Sequence, residues 1–301
     1  MKTLTKIAAV AAALVMVPVG APTAQAAYLP VSASCYAEMS AVDSTGAITF
    51  IGIDGTTSPQ ALHDDDGVQN GIQTPMKLGY VPKSLTLVNS WETTTEFRYR
   101  YYALSTAGVL RQHVFVIPKA DTTTATLTTK QIASGWTSVT DLAATSHQRM
   151  YTLTSTGNVY SYYVRADGTI GSKTLRKSGW TGLKGINYAG SVTTTVAGTV
   201  TVKRDLLTAI TTSGAIKSYQ LRYAGTGSDL AYTLKSSGYS TYETMAVGAC
   251  AGRGGVMVLH DNNNGYARVL YDTNIINGVS TGELTDRGSL GVTWKFRSYG
   301  S

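Results

Sequence analysis

One strand–turn–strand pattern recurs five times along this chain, and few folds can accommodate it. A short apolar stretch leads into a polar turn that ends in glycine, and a second stretch of alternating apolar and polar residues follows. The turns are Asp43-Ser44-Thr45-Gly46, Ser105-Thr106-Ala107-Gly108, Thr154-Ser155-Thr156-Gly157, Thr211-Thr212-Ser213-Gly214 and Asp261-Asn262-Asn263-Asn264-Gly265. Alternation with period two marks strands with a buried face, and a closing glycine supplies the positive φ that a hairpin demands. The turn glycines, at 46, 108, 157, 214 and 265, lie 62, 49, 57 and 51 residues apart. That interval holds about four strands and their loops, the size of one propeller blade rather than of a lone hairpin.

A second marker falls between the hairpins: Leu78-Gly79-Tyr80, Ser134-Gly135-Trp136, Ser178-Gly179-Trp180 and Ser237-Gly238-Tyr239. In the last copy Arg287-Gly288-Ser289 stands in its place, without the aromatic. The expected architecture is all-β: a five-bladed β-propeller of four-stranded antiparallel blades. The blades fall at approximately 35–80, 81–136, 137–180, 181–239 and 240–288. Residues 290–299 (Leu290 to Tyr299) read as an inner strand that returns to complete the first blade and close the ring, which protects the sheet edges.

The N-terminus reads as an export signal over residues 1–26. Lys2 and Lys6 precede an apolar Ile7–Val19 stretch, and Ala24-Gln25-Ala26 is a small-residue cleavage site. The expectation is a secreted, extracellular protein whose single domain covers 27–301, with no transmembrane segment. Cys35 and Cys250 are the two cysteines, and in an oxidising compartment they are expected to form one disulfide. In a closed ring, that bond joins the first blade to the last. The net charge of +7 comes from scattered Lys and Arg with no basic run, so no nucleic-acid partner is expected.

The order of aromatic after glycine, apolar strand, glycine turn and tyrosine-bearing strand resembles the tachylectin family of five-bladed propeller lectins. The likeness is strongest from Ser134-Gly135-Trp136 through Met150-Tyr151-Thr152-Leu153 and Gly157-Asn158-Val159-Tyr160 to Ser178-Gly179-Trp180. Val139, Leu142, Leu183 and Ile186 stand where that family carries an aromatic-rich strand, and the second and fourth units are longer. The resemblance implies non-catalytic binding of N-acetylated sugars, N-acetylglucosamine or N-acetylgalactosamine, in sites between neighbouring blades. The expected function is a multivalent lectin for glycans of cell surfaces or walls. The alternative is a protein-interaction scaffold in a secreted assembly.

Sugar recognition needs a flat apolar face beside amides and hydroxyls. The candidate platforms are Tyr80, Trp136, Trp180 and Tyr239, although an aromatic repeated once per unit can also serve as a wedge between sheets. Tyr160, Tyr219 and Asn158 join them, with Tyr162 and Asp167 as further candidates. Catalysis is not expected: His63, His113, His147 and His260 are dispersed, and no G-x-S-x-G, H-E-x-x-H or P-loop motif occurs. No metal or cofactor is expected either. Asp64-Asp65-Asp66-Gly67 places three consecutive carboxylates, which diverge, where a calcium loop needs alternating ones.

Overall fold

The computed structural model describes residues 31, 35–54, 76–196, 200–250, 254–275 and 284–300. The segment at 1–26 expected to be an export signal and the acidic stretch at 64–67 lie outside the described residues. Every regular element described is a β-strand.

Three sheets are four-stranded antiparallel meanders. The first contains β8 (Val139–Ala144), β9 (Arg149–Thr154), β10 (Val159–Val164) and β11 (Ile170–Lys177). The second contains β12 (Asn187–Val196), β13 (Val200–Ile210), β14 (Ile216–Ala224) and β15 (Leu230–Lys235). The third contains β16 (Thr244–Ala249), β17 (Gly255–His260), β18 (Tyr266–Asp272) and β19 (Leu284–Thr293). The remaining strands form one eight-stranded sheet: β1 (Tyr36–Val42), β2 (Ala47–Asp54), β3 (Met76–Lys77), β4 (Ser84–Glu92), β5 (Glu96–Leu104), β6 (Leu110–Pro118), β7 (Thr126–Ala133) and β20 (Ser298–Gly300). Its order is β3-β2-β1-β20-β4-β5-β6-β7, so the C-terminal β20 joins two meanders. β20 runs antiparallel to β1, with Val42 opposite Ser298, and touches β4 in parallel where Gly300 faces Leu85.

This corrects the reading of 290–299 as one closing strand. Residues 290–293 finish β19, which pairs with β18, and only Ser298–Gly300 reaches β1. The last unit therefore runs to Thr293 rather than 288. Register shifts between Tyr266 and Arg268 and between Val269 and Leu270 make β19 long and push its aromatic to Trp294.

Successive residues of a strand point to opposite faces, and in the second strand of each meander both faces are covered. Tyr101 and Tyr102 are neighbours on β5, yet they bury in different clusters. Leu206 and Leu207 on β13, and Met257 and Val258 on β17, behave alike. All six residues of β17 are buried, which explains its unbroken apolar run Val256–Leu259. The core thus divides into clusters lying between one meander and the next. One of them packs Met39, Ile51 and Ile53 of β1–β2 against Val256, Val258 and Val269 of β17–β18. First strands also pack in series: β4 on β8, β8 on β12, β12 on β16, and β16 on β1. Cys35 and Cys250 are bonded to each other beside the β1–β16 contact. By contrast β7, Thr-rich and carrying Lys130, is largely exposed as an outer edge.

The two sequence markers prove to be halves of one joint. The backbone N–H of Trp136 donates to Gly108 O at 2.9 Å, Trp180 to Gly157 O at 2.9 Å, Tyr239 to Gly214 O at 3.1 Å and Trp294 to Gly265 O at 2.7 Å. In the first copy Leu78 makes the bond, to Gly46 O at 2.8 Å. Trp294 therefore supplies the aromatic missing from Arg287-Gly288-Ser289. Each turn thereby docks on the segment that enters the next meander, and this fixes where the aromatic side chains project.

Candidate functional site

The four predicted platforms are not equivalent: Trp136, Trp180 and Tyr80 meet Tyr162, Tyr219 and His113 on the third strand of the next meander in different geometries, and Tyr239 reaches Asp286 on the fourth. Trp136 lies half-buried with its ring 4.9 Å from that of Tyr162 on β10, at 32°. It opens on a cleft of about 150 Å³ that also takes in Thr154, Thr156, Asn158, Tyr160 and Lys173. Four predicted residues, Trp136, Asn158, Tyr160 and Tyr162, thus converge. Asn158 is held by its backbone N–H donating to Thr154 Oγ1 at 3.0 Å, and its side-chain amide donates to Thr156 Oγ1 at 3.4 Å. Lys173, which the sequence reading missed, sits with Nζ 3.9 Å from the centre of the Tyr160 ring. Its position on the outer strand, opposite Tyr162, was the available signal.

The other platforms are occupied by their neighbours. Trp180 and Tyr219 come together, stacked at 3.8 Å and 28°, so each covers a face of the other. Tyr239 is buried, with its hydroxyl 3.3 Å from Asp286 Oδ2, and acts as a wedge. Tyr80 directs its hydroxyl to His113 Nε2 at 3.0 Å, and the Arg111 guanidinium lies 5.5 Å from its ring. Burial, reinforced by Arg111, lowers the His113 pKa to about 4, so this ring is neutral at pH 7. Asp167 is not at the cleft: it braces the β10–β11 turn, accepting from Thr169 N–H at 2.9 Å, at the opposite end of the meander from Gly157. Asp261 likewise braces its own hairpin, accepting from the N–H groups of Asn263 and Asn264. Among the described residues, no three His, Cys, Asp or Glu side chains gather as a metal site.

A second cavity, of about 190 Å³, lies where the first strands begin. Its wall includes Lys83, Thr140, Lys184, Glu243 and Arg297, which stand three or four residues past Tyr80, Trp136, Trp180, Tyr239 and Trp294. That recurring offset of three or four residues was the signal for them in the sequence. Lys184 is tethered by Tyr242 O at 3.0 Å and Lys83 by Thr137 O at 3.2 Å. Asp141 ties three meanders together: Ser84 Oγ donates to Oδ1 at 2.8 Å and Ile186 N–H to Oδ2 at 2.8 Å. The residue as a whole is only half-buried, but its carboxyl is enclosed. Burial outweighs these donors and raises its pKa to about 6.

A pH prediction follows from Asp141. Its folded pKa is above the unfolded value, so between about pH 4 and pH 6 the folded state holds the extra proton and stability falls as pH rises. The cost above pH 6 is at most about 3 kcal/mol. His113, with its folded pKa lowered, acts in the opposite sense: its contribution is complete above about pH 6.5 and is lost as pH falls towards 4. The Asp141→Asn variant is expected to lose stability on acidification through this window more steeply than the parent. Urea unfolding at pH 4.5 and 7 measures this, and parallel profiles for the two proteins would contradict the assignment.

No protein-family model matches the chain, and no curated protein matches it. Among solved structures it is similar to the major Malassezia sympodialis allergen Mala s 1, at 12% identity and a TM-score of 0.30, over 83% of this chain and 90% of that one.

Proposed function

We propose that the chain is an exported, non-catalytic carbohydrate-binding protein that recognises N-acetylated hexoses in the Trp136 cleft. In this reading it is a five-bladed β-propeller, with β20 as the inner strand of the first blade. The serial packing that leads from β4 through β8, β12 and β16 back to β1 supports the ring. The two-sided attachment of β20 supports its closure. The Cys35–Cys250 bond suits an oxidising compartment.

The observation that carries the sugar reading is the meeting of Trp136, Asn158 and Tyr160 in one cleft where the chain enters the β8–β11 meander. An indole offers an apolar face to a pyranose, the Asn158 amide matches an acetamido group, and Thr156 and Lys173 supply further donors. Because Trp180 and Tyr239 are covered, the reading assigns one principal cleft per chain. A millimolar constant corresponds to only about 4 kcal/mol, so tight attachment to a glycan-dense surface calls for several chains acting together.

Trp136→Ala is expected to weaken N-acetylglucosamine or N-acetylgalactosamine binding at least tenfold, and Trp180→Ala to leave it within about twofold. A tenfold loss corresponds to about 1.4 kcal/mol, within the range of an aromatic contact. A glycan array followed by calorimetry reads both variants. Binding to no glycan would overturn the function, and equal losses in the two variants would overturn the site. The inequality of the four aromatic positions also favours a single protein partner, as in a scaffold. A stoichiometric partner whose capture no sugar competes with would select that reading.

A further inference from the structure

The largest of the three cavities described, about 460 Å³, lies between the β4–β7 and β8–β11 meanders. It falls in the range of small-molecule sites. It is formed at the β4–β5, β8–β9 and β10–β11 turns, so it opens at the opposite end of the meanders from the glycine turns and the Trp136 cleft. Its wall includes Trp91, Arg100, Arg165, Asn89, Ser146 and Gln148, and it contains no carboxylate.

Among the described residues no carboxylate forms an ion pair with the arginines of this wall, and Asp167 acts on Arg165 only through its charge at longer range. Arg100 donates through Nη1 to Ala166 O at 3.2 Å, while its Nε is buried without a hydrogen-bond partner. Arg165 donates through Nη1 to Ile170 O at 3.1 Å and Thr169 Oγ1 at 3.3 Å. These acceptors are all neutral. The two carboxylates at the end of the β4–β5 hairpin are engaged elsewhere, Glu92 by Lys119 and Glu96 by Arg98 at 2.6 Å, and Asp167 accepts from Thr169. Trp91 lies beside the cations, its ring centre 5.3 Å from Arg100 Cζ, and is half-buried.

The backbone adds an independent observation. Gln148, with φ 58°, is the one non-glycine residue of positive φ among the described residues. Glycine is the default in that conformation, so a side chain kept there points to a use for it. The Gln148 Oε1 accepts from Tyr163 at 2.9 Å, and the amide nitrogen remains as a donor at the cavity.

We propose that this cavity binds an acidic sugar, a pyranose carrying a carboxylate. Trp91 covers the ring face, Arg100 and Arg165 take the carboxylate, and Asn89, Ser146 and Gln148 meet the hydroxyls. Guanidinium groups suit this task because they offer paired donors in a plane. The site does not depend on the N-acetylhexose reading, which concerns the other end of the meanders.

The test compares methyl β-glucuronide with methyl β-glucoside, which lacks only the charge, by calorimetry or ligand-observed NMR on the full mature chain. The glucuronide is expected to bind at least tenfold tighter at low salt, with the advantage shrinking as ionic strength rises. Arg165→Gln alters an exposed side chain and is expected to bring the ratio close to one. Trp91→Ala is expected to weaken the glucuronide at least fivefold, and Trp136→Ala to leave it unchanged. Equal binding of the two glycosides, a ratio that Arg165→Gln does not move, or loss in Trp136→Ala would each overturn the proposal. Failure of N-acetylglucosamine to bind, with the glucuronide preference intact, would overturn only the cleft at Trp136.

Discussion

Removing the Cys35–Cys250 bond is expected to lower the unfolding free energy by up to about 5 kcal/mol, the value the chain-entropy model gives for a loop this long. The two cysteines are 215 residues apart, so the bond excludes a large part of the unfolded ensemble. It also acts at a junction where the chain itself offers little. The β1–β2 and β17–β18 residues pack across this junction, but among the described residues the only strand bridging from the C-terminus is the three-residue β20. For a domain of this size, the loss corresponds to a fall in Tm of about 10–15 °C. Thermal unfolding of the Cys35→Ser/Cys250→Ser double variant, which leaves no free thiol, measures it. A fall under about 1 kcal/mol would mean that the packing and β20 hold the junction unaided.

The second large effect is expected at Gly157. Its φ is 73°, and a Cβ there would lie 2.3 Å from Thr181 N and 2.7 Å from Trp180 N. Alanine at this position pays the backbone penalty of about 1–3 kcal/mol. It must also push the turn off the Trp180 segment, breaking the bond from Trp180 N–H to Gly157 O. A total of about 3–4 kcal/mol is expected, the lost hydrogen bond adding about 1. Gly135 separates the two terms. It has φ 77° but nothing within 4 Å of its would-be Cβ, so Gly135→Ala is expected to cost the backbone term alone. Equal costs for the two variants in urea unfolding would show that the close approach at the joint contributes nothing.

The same joint explains why the repeat was legible. A turn glycine and the aromatic that docks on it must both be present in every unit, so local chemistry writes them into the sequence at every copy. The reading failed at the last unit for a physical reason. Irregular pairing of β18 with β19 inserted extra residues, and Gly291 and Trp294 became separated by Val292-Thr293. The pattern Gly-aromatic then no longer held, and the end of β19 passed for a closing strand.

Strand content and the glycine hairpins follow from the amino-acid order, because each depends on residues close in sequence or on a repeated spacing, and the cysteine pairing follows from there being two cysteines. Which aromatic stands open was decided only by the tertiary structure. Trp136 and Trp180 occupy matching places, yet one meets Tyr162 at the edge of a cleft and the other lies flat against Tyr219. The cavity at Trp91 and the Asp141 bridge were equally hidden. Their partners are brought together from separate meanders by packing of the sheets, a long-range event that no local pattern encodes.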